Sequence, residues 1–397
     1  MKVLVVHTFN QFQRGNDSIV TSEIELLKSN GIEVELLALP VAAGSKFSAT
    51  LKTVFSYSAW QRVRRCISAF KPAVVHFHHL EYGSLASALY AVKKCGLPLV
   101  YTPHNYSLLC PSGTLFHQDQ LYTDSLRQVF PFSSIRKAVY RKSKLLSFAM
   151  SVSMLLHHLL GTWNRIDRLM VQGESVKKLF AQSKLSARSG QITLSHAFCQ
   201  PPAKENYGSV PEPYYLYTGE FSDEAGLPVV LEAFADNGLP LKVAGSGFLA
   251  KLVFGYSEFY PNISLIETED PGEITLLLEN ARALIVPSVW LEPFGNKVAK
   301  AFSLGVPLIT SNSGTPGEMV LNGYNGLLFE AGNDKDLREK VDEFQALHWL
   351  EASKYRDHAL QSYRLQYTPD KAAEDLISVY QALCGPVNTG EILPGLI

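Results

Sequence analysis

The sequence predicts an α/β protein made of two doubly wound domains, each with a mostly parallel sheet. Short β-branched runs alternate with amphipathic stretches of helical spacing through both halves of the 397-residue chain, as they do in βαβ units. A proline-rich stretch with little periodicity, residues 196–213, interrupts this alternation near the midpoint. We therefore expect an N-terminal domain over 1–200, a C-terminal domain over 201–397, and a cleft between them.

The N-terminal half opens with a β-branched run that is followed by a helical pattern over 18–31, which ends on Gly31. A glycine in this position is a common helix stop. Asp17 or Ser18 is expected to cap this helix. The strands predicted in this half cover 3–9, 32–39, 72–79, 98–105 and 166–173.

The alternation restarts after the linker. The strands predicted there cover 214–219, 241–247, 263–267, 283–288, 307–312 and 325–330, and the helices include 227–238, 271–281 and 296–304. Helices are expected to fill the chain from there to about residue 384. The last of them, about 369–384, is expected to pack back on the N-terminal domain, and a loose tail follows it.

The composition argues against several classes of function. The chain carries 36 basic and 37 acidic residues and 46% hydrophobic residues, whereas nucleic-acid binders are usually strongly basic. Its five cysteines form no C-x-x-C pair, which argues against a disulfide framework and fits a reducing compartment. The N-terminal apolar run is too short for a signal peptide. We expect a cytoplasmic protein that does not bind nucleic acid.

Residues 136–163 combine five basic side chains with a largely apolar stretch that His157 and His158 interrupt. The apolar run is shorter than the roughly 20 residues that a membrane span requires. A basic flank before an apolar helix is typical of a helix that lies on a membrane surface. A buried helix with a solvated basic lead-in is the alternative.

Polar residues follow several predicted strands of the N-terminal half. Gly15 and Asn16 stand in the first strand-to-helix connection, where backbone amides at a helix start can approach an anion or a sugar. His104 and Asn105 follow the strand that includes Tyr101. A neutral histidine at the cleft mouth can hydrogen-bond a substrate hydroxyl, and the alternative is a histidine that only caps a loop.

His76, His78 and His79 form a further group on one predicted strand. Metal coordination requires additional ligands, and no carboxylate or thiol stands at a plausible spacing in this part of the sequence. We therefore interpret these histidines as satisfying local hydrogen bonds, and we expect no metal site.

In the C-terminal half the polar residues concentrate in two places. Gly219 and Glu220 end the first strand of that half. The run EPFGNKVAK, residues 292–300, turns through Phe294 and Gly295 into a helix that begins near Asn296. The start of such a helix suits a phosphate, and Glu292 beside it suits a sugar hydroxyl.

These motifs together resemble family-four retaining glycosyltransferases of the GT-B fold, in particular the bacterial exopolysaccharide and lipopolysaccharide type. The resemblance covers nearly the whole chain. It is carried by the segments QFQRGNDSIVTSEIELLKSNGIEV, HNYSLLCPSGTLF, HHLLGTWNRIDRLMVQGESVKKLF, EPFG, SLGVPLITSNSGTPGEMV and GYNGLLFEAGNDKDL.

The resemblance implies two Rossmann-like domains, a nucleotide-sugar donor held by the C-terminal one, and a glycan or lipid-linked acceptor held by the N-terminal one. It implies transfer with retention and no metal ion, because protein cations neutralise the diphosphate. His104 would contact the donor sugar, and Glu292 would bind sugar hydroxyls near the reacting centre. The amides after Gly295 would hold the diphosphate, and Gly15 would lie beside the phosphates or the acceptor.

The sequence also departs from the family pattern. The family's Gly-Arg and following Lys, which clamp the diphosphate, correspond here to Glu220 and Ala225. The second family glutamate, eight residues after the first, is Lys300 here, and the paired glycines of the first loop are reduced to Gly15-Asn16. Loss of two cations beside a diphosphate would weaken donor binding severely unless another group compensates.

Two hypotheses follow. In the first, the chain is an active glycosyltransferase in which Lys297 and Lys300, three apart in a first helical turn, supply the missing cationic clamp. In the second, Glu220 and Lys300 pair and close the donor site, and the chain is an inactive partner or scaffold for other glycosyltransferases, at the inner face of the membrane. The sequence identifies neither sugar, nucleotide, acceptor nor oligomeric state.

Overall fold

The computed structural model describes residues 1–9, 14–40, 54–118, 120–183, 191–200 and 214–384, and of 14–18 and 127 only the backbone. Within these residues the chain forms two six-stranded parallel sheets and one short antiparallel hairpin. The predicted α/β class with two Rossmann-like units is confirmed. The domain limits stay a prediction, since most of the proline-rich linker lies outside the described residues.

The first sheet has the strand order β2-β1-β3-β4-β7-β8, and β5 and β6 form the hairpin. The strands are β1 (Lys2–His7), β2 (Glu33–Ala38), β3 (Val74–Phe77), β4 (Leu99–Tyr101), β5 (Phe116–His117), β6 (Gln120–Leu121), β7 (Arg168–Val171) and β8 (Ile192–Leu194). The helices are α1 (Arg14–Ser29), α2 (Tyr57–Phe70), α3 (Tyr82–Lys94), α4 (Phe132–Arg136), α5 (Lys144–Leu159) and α6 (Glu174–Gln182).

The second sheet has the order β11-β10-β9-β12-β13-β14, a doubly wound arrangement. Its strands are β9 (Tyr215–Glu220), β10 (Leu241–Ser246), β11 (Ile263–Ile266), β12 (Ala283–Val286), β13 (Leu308–Ser311) and β14 (Gly326–Phe329). The helices are α7 (Leu227–Asn237), α8 (Ala250–Phe259), α9 (Pro271–Asn280), α10 (Asn296–Ser303), α11 (Gly314–Met319), α12 (Asp334–Gln345), α13 (Trp349–Gln366) and α14 (Pro369–Cys384).

Strand β1 shows why a strand of this sheet can be predicted from the sequence. Both of its faces are covered, so it is a continuous apolar run rather than an alternating one. Leu4 and Val6 contribute to the core on one face of the sheet, and Val3 and Val5 to the core on the other. Helix α14 completes this second core, and the C-terminal end of the described chain therefore packs on the N-terminal sheet.

The predicted start of helix α1 is wrong. Helix α1 begins at Arg14, so Asp17 and Ser18 are helical residues and not its caps. The reason is that one glycine and one asparagine disfavour a helix by only about 1 kcal/mol, too little to stop it. Helix α8 and strand β8 were not expected, and the loose tail after Cys384 lies outside the described residues.

Candidate functional site

The polar residues singled out in the sequence gather where the strand order of each sheet reverses. The first sheet reverses between β1 and β3, and the second between β9 and β12. In open α/β sheets, ligands bind at these points, beyond the carboxyl ends of the strands. His78 and His104 follow β3 and β4, while Glu220 ends β9 and Glu292 follows β12.

A buried polar cluster lies at the reversal point of the first sheet. The Glu23 carboxylate, from helix α1, has its Oε1 3.2 Å from Nδ1 of His76 and 3.0 Å from Nε2 of His78. His76 also contacts the Tyr380 hydroxyl at 2.7 Å through Nδ1 and the Thr102 hydroxyl at 2.8 Å through Nε2. The cluster thus joins α1, the sheet and the C-terminal helix α14.

The charges in this cluster are strongly coupled. Burial alone would raise the pKa of the Glu23 carboxyl, but the neighbouring His78 and His76 lower it well below its usual value. Burial lowers the pKa of His76, and the charge of His78 lowers it further. Glu23 is therefore ionised at neutral pH. The expectation that no carboxylate accompanies these histidines is wrong, because Glu23 reaches them from a helix that is distant in sequence.

His104 connects this cluster to the second half of the chain. Its Nε2 lies 3.1 Å from Nδ1 of His78, and its ring centroid lies 4.7 Å from that of Phe294. Burial lowers the pKa of His104 well below its usual value, and the charges of His78, His79 and His7 lower it further. The imidazole is therefore neutral. Its Nδ1 is buried and has no hydrogen-bond partner among the described residues, so it can bind a polar group of a ligand.

Glu292 is fixed by its own turn and by helix α11. The hydroxyl of Ser288 donates to Oε2 of Glu292 at 2.6 Å, and the amide of Thr315 donates to the Glu292 carbonyl at 2.9 Å. Gly314 has a φ of +65°, and a Cβ there would lie 2.5 Å from the Glu292 nitrogen. Only glycine permits this approach without displacement of the backbone, so α11 holds the Glu292 turn in place.

The start of α10 contacts the N-terminal half directly. The amide of Gly295 donates to Oε1 of Gln172 at 3.1 Å. The side chain of Asn296 donates to the carbonyl of Phe198 at 3.2 Å. The amide of Gly295, a residue predicted to bind the donor, therefore already has a partner.

The two lysines of α10 have different surroundings. Nζ of Lys297 lies 3.0 Å from the position that a Cβ on Gly219 would occupy, and its charge lowers the pKa of Glu220. Burial lowers the pKa of Lys300, and the electrostatic interaction with Cys199 opposes this shift. The hypothesis of a pair between Glu220 and Lys300 is wrong for the described residues, because the lysine that interacts with Glu220 is Lys297, whereas Lys300 interacts with Cys199.

The remaining predicted residues are only partly described. Gly15 and Asn16 lie in the first turn of α1 rather than in a loop before it, and their role beside phosphates or acceptor stays a prediction. Asn105 lies with its Nδ2 3.4 Å from Nδ1 of His79. Its carboxamide oxygen accepts from the amide of Ser107 at 3.0 Å.

Glu23 and Gln172 are the polar residues that sequence reasoning missed. Gln172 carries no sequence signal that separates it from an ordinary loop residue. Glu23 does carry one, because it lies on the buried face of α1 beside Val20, Ile24 and Leu27. A carboxylate at the i, i+3 spacing of an apolar stripe requires a buried partner.

A cavity of about 630 Å³ opens at the contact between the two halves. It is lined by Ser175 of the N-terminal half and by Asn312, Glu318 and Gly332 of the C-terminal half. The Glu318 carboxylate caps helix α6, where it accepts from the amides of Glu174 at 2.7 Å and Ser175 at 2.6 Å. Its lining includes neither His104 nor Glu292.

Two protein-family models match the chain. The glycosyl transferase 4-like domain matches residues 13–153, and the glycosyl transferases group 1 model matches residues 193–359. An uncharacterized glycosyltransferase of Methanocaldococcus jannaschii is 32% identical over 130 residues, which are 32% of this chain and 37% of that protein. The match thus spans little more than a third of that relative's length.

Solved structures of low sequence identity share the fold. The sucrose-phosphate synthase of Thermosynechococcus elongatus has a TM-score of 0.70 at 13% identity, over 96% of this chain and 99% of that one. Anabaena HepE in complex with UDP has a TM-score of 0.64 at 12% identity, over 96% of this chain and all of that one. With its two family models and this fold, the chain belongs to the family-four glycosyltransferases of the GT-B fold.

Proposed function

We propose that the chain is a retaining glycosyltransferase that moves a sugar from a nucleotide-sugar donor to a glycan or lipid-linked acceptor in cell-surface polysaccharide biosynthesis. The supporting geometry is the meeting of His104 with the turn that contains Phe294 and Glu292. A neutral imidazole and a carboxylate fixed from two sides suit the hydroxyls of a sugar. The donor would lie on the C-terminal half and the acceptor on the N-terminal half.

The proposed donor is a nucleoside diphosphate sugar. Structures of the similar HepE contain UDP, UDP with glucose, and UDP-glucose. In this chain, Lys297 extends to the backbone of Gly219, where the family has its Gly-Arg. A single ammonium there compensates for part of the positive charge lost at Glu220 and Ala225. This position of Lys297 is the observation that carries the proposal.

Calorimetry with a panel of nucleotide sugars tests the donor site. We expect at least one of them to bind, and Lys297→Ala to weaken that binding about tenfold to a hundredfold, because a charge-assisted contact to a phosphate is lost. Lys300→Ala is the matched control, since the charge of Lys300 interacts with Cys199 rather than with Glu220, and the affinity of this variant should stay within about twofold. Equal losses in both variants would contradict the assigned role of Lys297.

The second candidate function is an inactive relative that acts as a partner of other glycosyltransferases. It is favoured by the contacts of Gly295 with Gln172 and of His104 with Phe294, which already fill part of the donor site. In that case no nucleotide sugar of the panel binds. Gln172→Ala then distinguishes a donor site that Gln172 blocks from a site that has lost its ability to bind. A nucleotide sugar that binds only to this variant would show that Gln172 blocks the amide of Gly295.

Helix α5 supports a peripheral membrane location, at the cytoplasmic face. Its exposed side carries apolar residues at helical spacing, among which Leu145 is 68%, Phe148 50% and Leu159 72% exposed. Its buried side mixes apolar and polar residues, namely Leu146, Ser147, Met150, Ser151, Ser153, Met154 and His157. A solvent face more apolar than the buried one indicates an interaction surface. None of the helices in the described ranges is long and apolar enough to cross a bilayer.

Co-sedimentation with vesicles tests this surface. We expect the chain to bind vesicles that contain anionic phosphatidylglycerol, and Leu145→Ser with Phe148→Ser to reduce binding at least about tenfold through lost apolar burial. The matched control is Phe254→Ser with Phe259→Ser. It removes two exposed apolar side chains from α8 and should leave vesicle binding unchanged. Unchanged binding in the α5 variant would contradict the proposal.

A further inference from the structure

In the cluster of Glu23, His76 and His78, two facing polar atoms have no hydrogen-bond partner among the described residues. They are Oε1 of Glu23 and Nε2 of His78, which are buried and lie 3.0 Å apart. The N–H direction of the ring therefore does not lead to the oxygen. The contact of Nδ1 of His76 with the same oxygen at 3.2 Å likewise lacks hydrogen-bond geometry.

Ligands of one metal ion have this arrangement. Atoms that each lie about 2.0–2.2 Å from a shared ion lie about 3.0–3.5 Å from one another, and their lone pairs converge on the ion rather than on each other. The three ligand atoms here all lie within 4.8 Å of one another, and all three residues are buried. We propose that Glu23, His76 and His78 form a binding site for a divalent transition-metal ion of the Zn²⁺ class.

The donor set fits that class of ion. Two imidazole nitrogens and one carboxylate oxygen suit Zn²⁺ and its neighbours and are too few oxygens for Ca²⁺ or Mg²⁺. Three protein ligands leave the fourth position of a tetrahedral ion open for water or another small ligand. No Lys or Arg within the described residues forms an ion pair with Glu23, so the ion would place a full positive charge beside this carboxylate.

The outer contacts of both histidines agree with metal ligation. Ligating histidines usually donate their second ring N–H to a nearby acceptor. Nε2 of His76 lies 2.8 Å from the Thr102 hydroxyl, and Nδ1 of His78 lies 3.1 Å from Nε2 of His104. The Tyr380 hydroxyl at 2.7 Å from Nδ1 of His76 competes with the metal for that nitrogen.

The site would set the protonation of His104. With a metal on its Nε2, neutral His78 carries its proton on Nδ1 and donates to Nε2 of His104. Neutral His104 must then carry its own proton on Nδ1, the buried atom without a partner, and becomes a hydrogen-bond donor to a ligand. In the metal-free chain, a proton on Nε2 of His78 leaves its Nδ1 as an acceptor and gives the opposite tautomer of His104.

Metal analysis of the 397-residue chain tests the site. After reconstitution with Zn²⁺ and gel filtration we expect about one equivalent of zinc per chain, and less than about a tenth of that in Glu23→Gln and His78→Gln. His158→Gln, on the end of α5, is the matched control and should keep its zinc. Tyr380→Phe should keep it as well, because it removes only the competing hydroxyl. Absence of zinc in the wild type, or its retention in Glu23→Gln and His78→Gln, would overturn the proposal.

X-ray absorption at the zinc edge decides the case if these variants do not fold. A shell with two imidazoles and oxygen ligands supports the site, and a shell without imidazole overturns it. Histidine ¹⁵N spectra of the metal-free and zinc-loaded chain test the coupling: His104 should change from the Nε2–H to the Nδ1–H tautomer, and an unchanged tautomer refutes it. None of these measurements uses transferase activity, so a failed metal site is distinguishable from a failed donor site.

Discussion

The two sheets present their polar residues in opposite ways. At the first sheet, Glu23, His76 and His78 are buried and are held by contacts from α1, β4 and α14. At the second sheet, Glu220 and Lys297 stand at a strand end and a helix start, and Glu220 is exposed. The buried cluster is therefore shielded from solvent by packing across distant elements, whereas the charges at the second sheet remain accessible to solvent.

The largest expected effect concerns the packing that holds the buried cluster. Leu376, 4% exposed on α14, lies in the core with Val5 and Val74. Leu376→Ala should lower the free energy of unfolding by about 2–5 kcal/mol, because it removes buried apolar surface and leaves a cavity. Denaturant titration measures this change.

Leu365→Ala provides the control for this prediction. Leu365 is 61% exposed on α13, and its replacement should change the free energy of unfolding by less than about 0.5 kcal/mol. Equal effects of the two substitutions would show that α14 does not contribute to the core of the N-terminal sheet.

The next effect concerns the link between the two regions. His104→Ala should lower kcat/KM for donor turnover by about 10²–10³-fold, since the polar group opposite the sugar is lost. Release of nucleoside diphosphate from the donor that binds in calorimetry provides the assay. His158→Ala should leave the rate unchanged, and a His104→Ala chain that folds normally and keeps its full rate would remove His104 from the site.

The smallest effect concerns the exposed charges. Partial burial raises the pKa of Glu220, Glu224 raises it further, and Lys297 opposes both. Above that raised pKa the carboxylate is ionised and repels a diphosphate, and below it the carboxyl is neutral. Donor affinity should therefore fall about two- to fivefold as pH rises through this pKa.

Glu220→Gln should abolish this pH dependence and keep the tighter affinity. Calorimetry with the nucleotide sugar measures it, since its diphosphate has no ionisation of its own in this range. Glu258→Gln, an exposed position on α8, should behave like the wild type. A Glu220→Gln chain with the wild-type pH profile would show that this carboxylate does not face the donor.

Much of the fold was predictable from the sequence because its signals are local. Strands such as β1 and β12 are β-branched or aliphatic runs bounded by polar residues, and helix ends such as Gly238 are glycines with a φ of +68°. Helix α8 was missed because its buried side contains only Val253, which gives little periodicity. The βαβ alternation predicted parallel, doubly wound sheets, but it did not predict the order of the strands within them.

The site was predictable in part for the same reason. His104 and the turn from Glu292 to Gly295 follow strands, and their position at the sheet edge depends on the strand alone. The directions of Lys297 and Lys300 were not predictable, because two lysines three residues apart on a helix share a face in sequence terms. Lys297 approaches Gly219, and the charge of Lys300 interacts with Cys199. Both neighbours lie far from the lysines in the sequence.

The sequence by itself determined the fold class, the family and the strand ends that carry polar groups, since all three rest on patterns within a few residues. Only the tertiary structure brought Glu23 to His76 and His78, and Gln172 to Gly295. Those contacts join residues far apart in the chain through packing of α1, α10 and the first sheet. A buried polar group takes its partner from whichever element packs against it, and that choice belongs to the assembled fold.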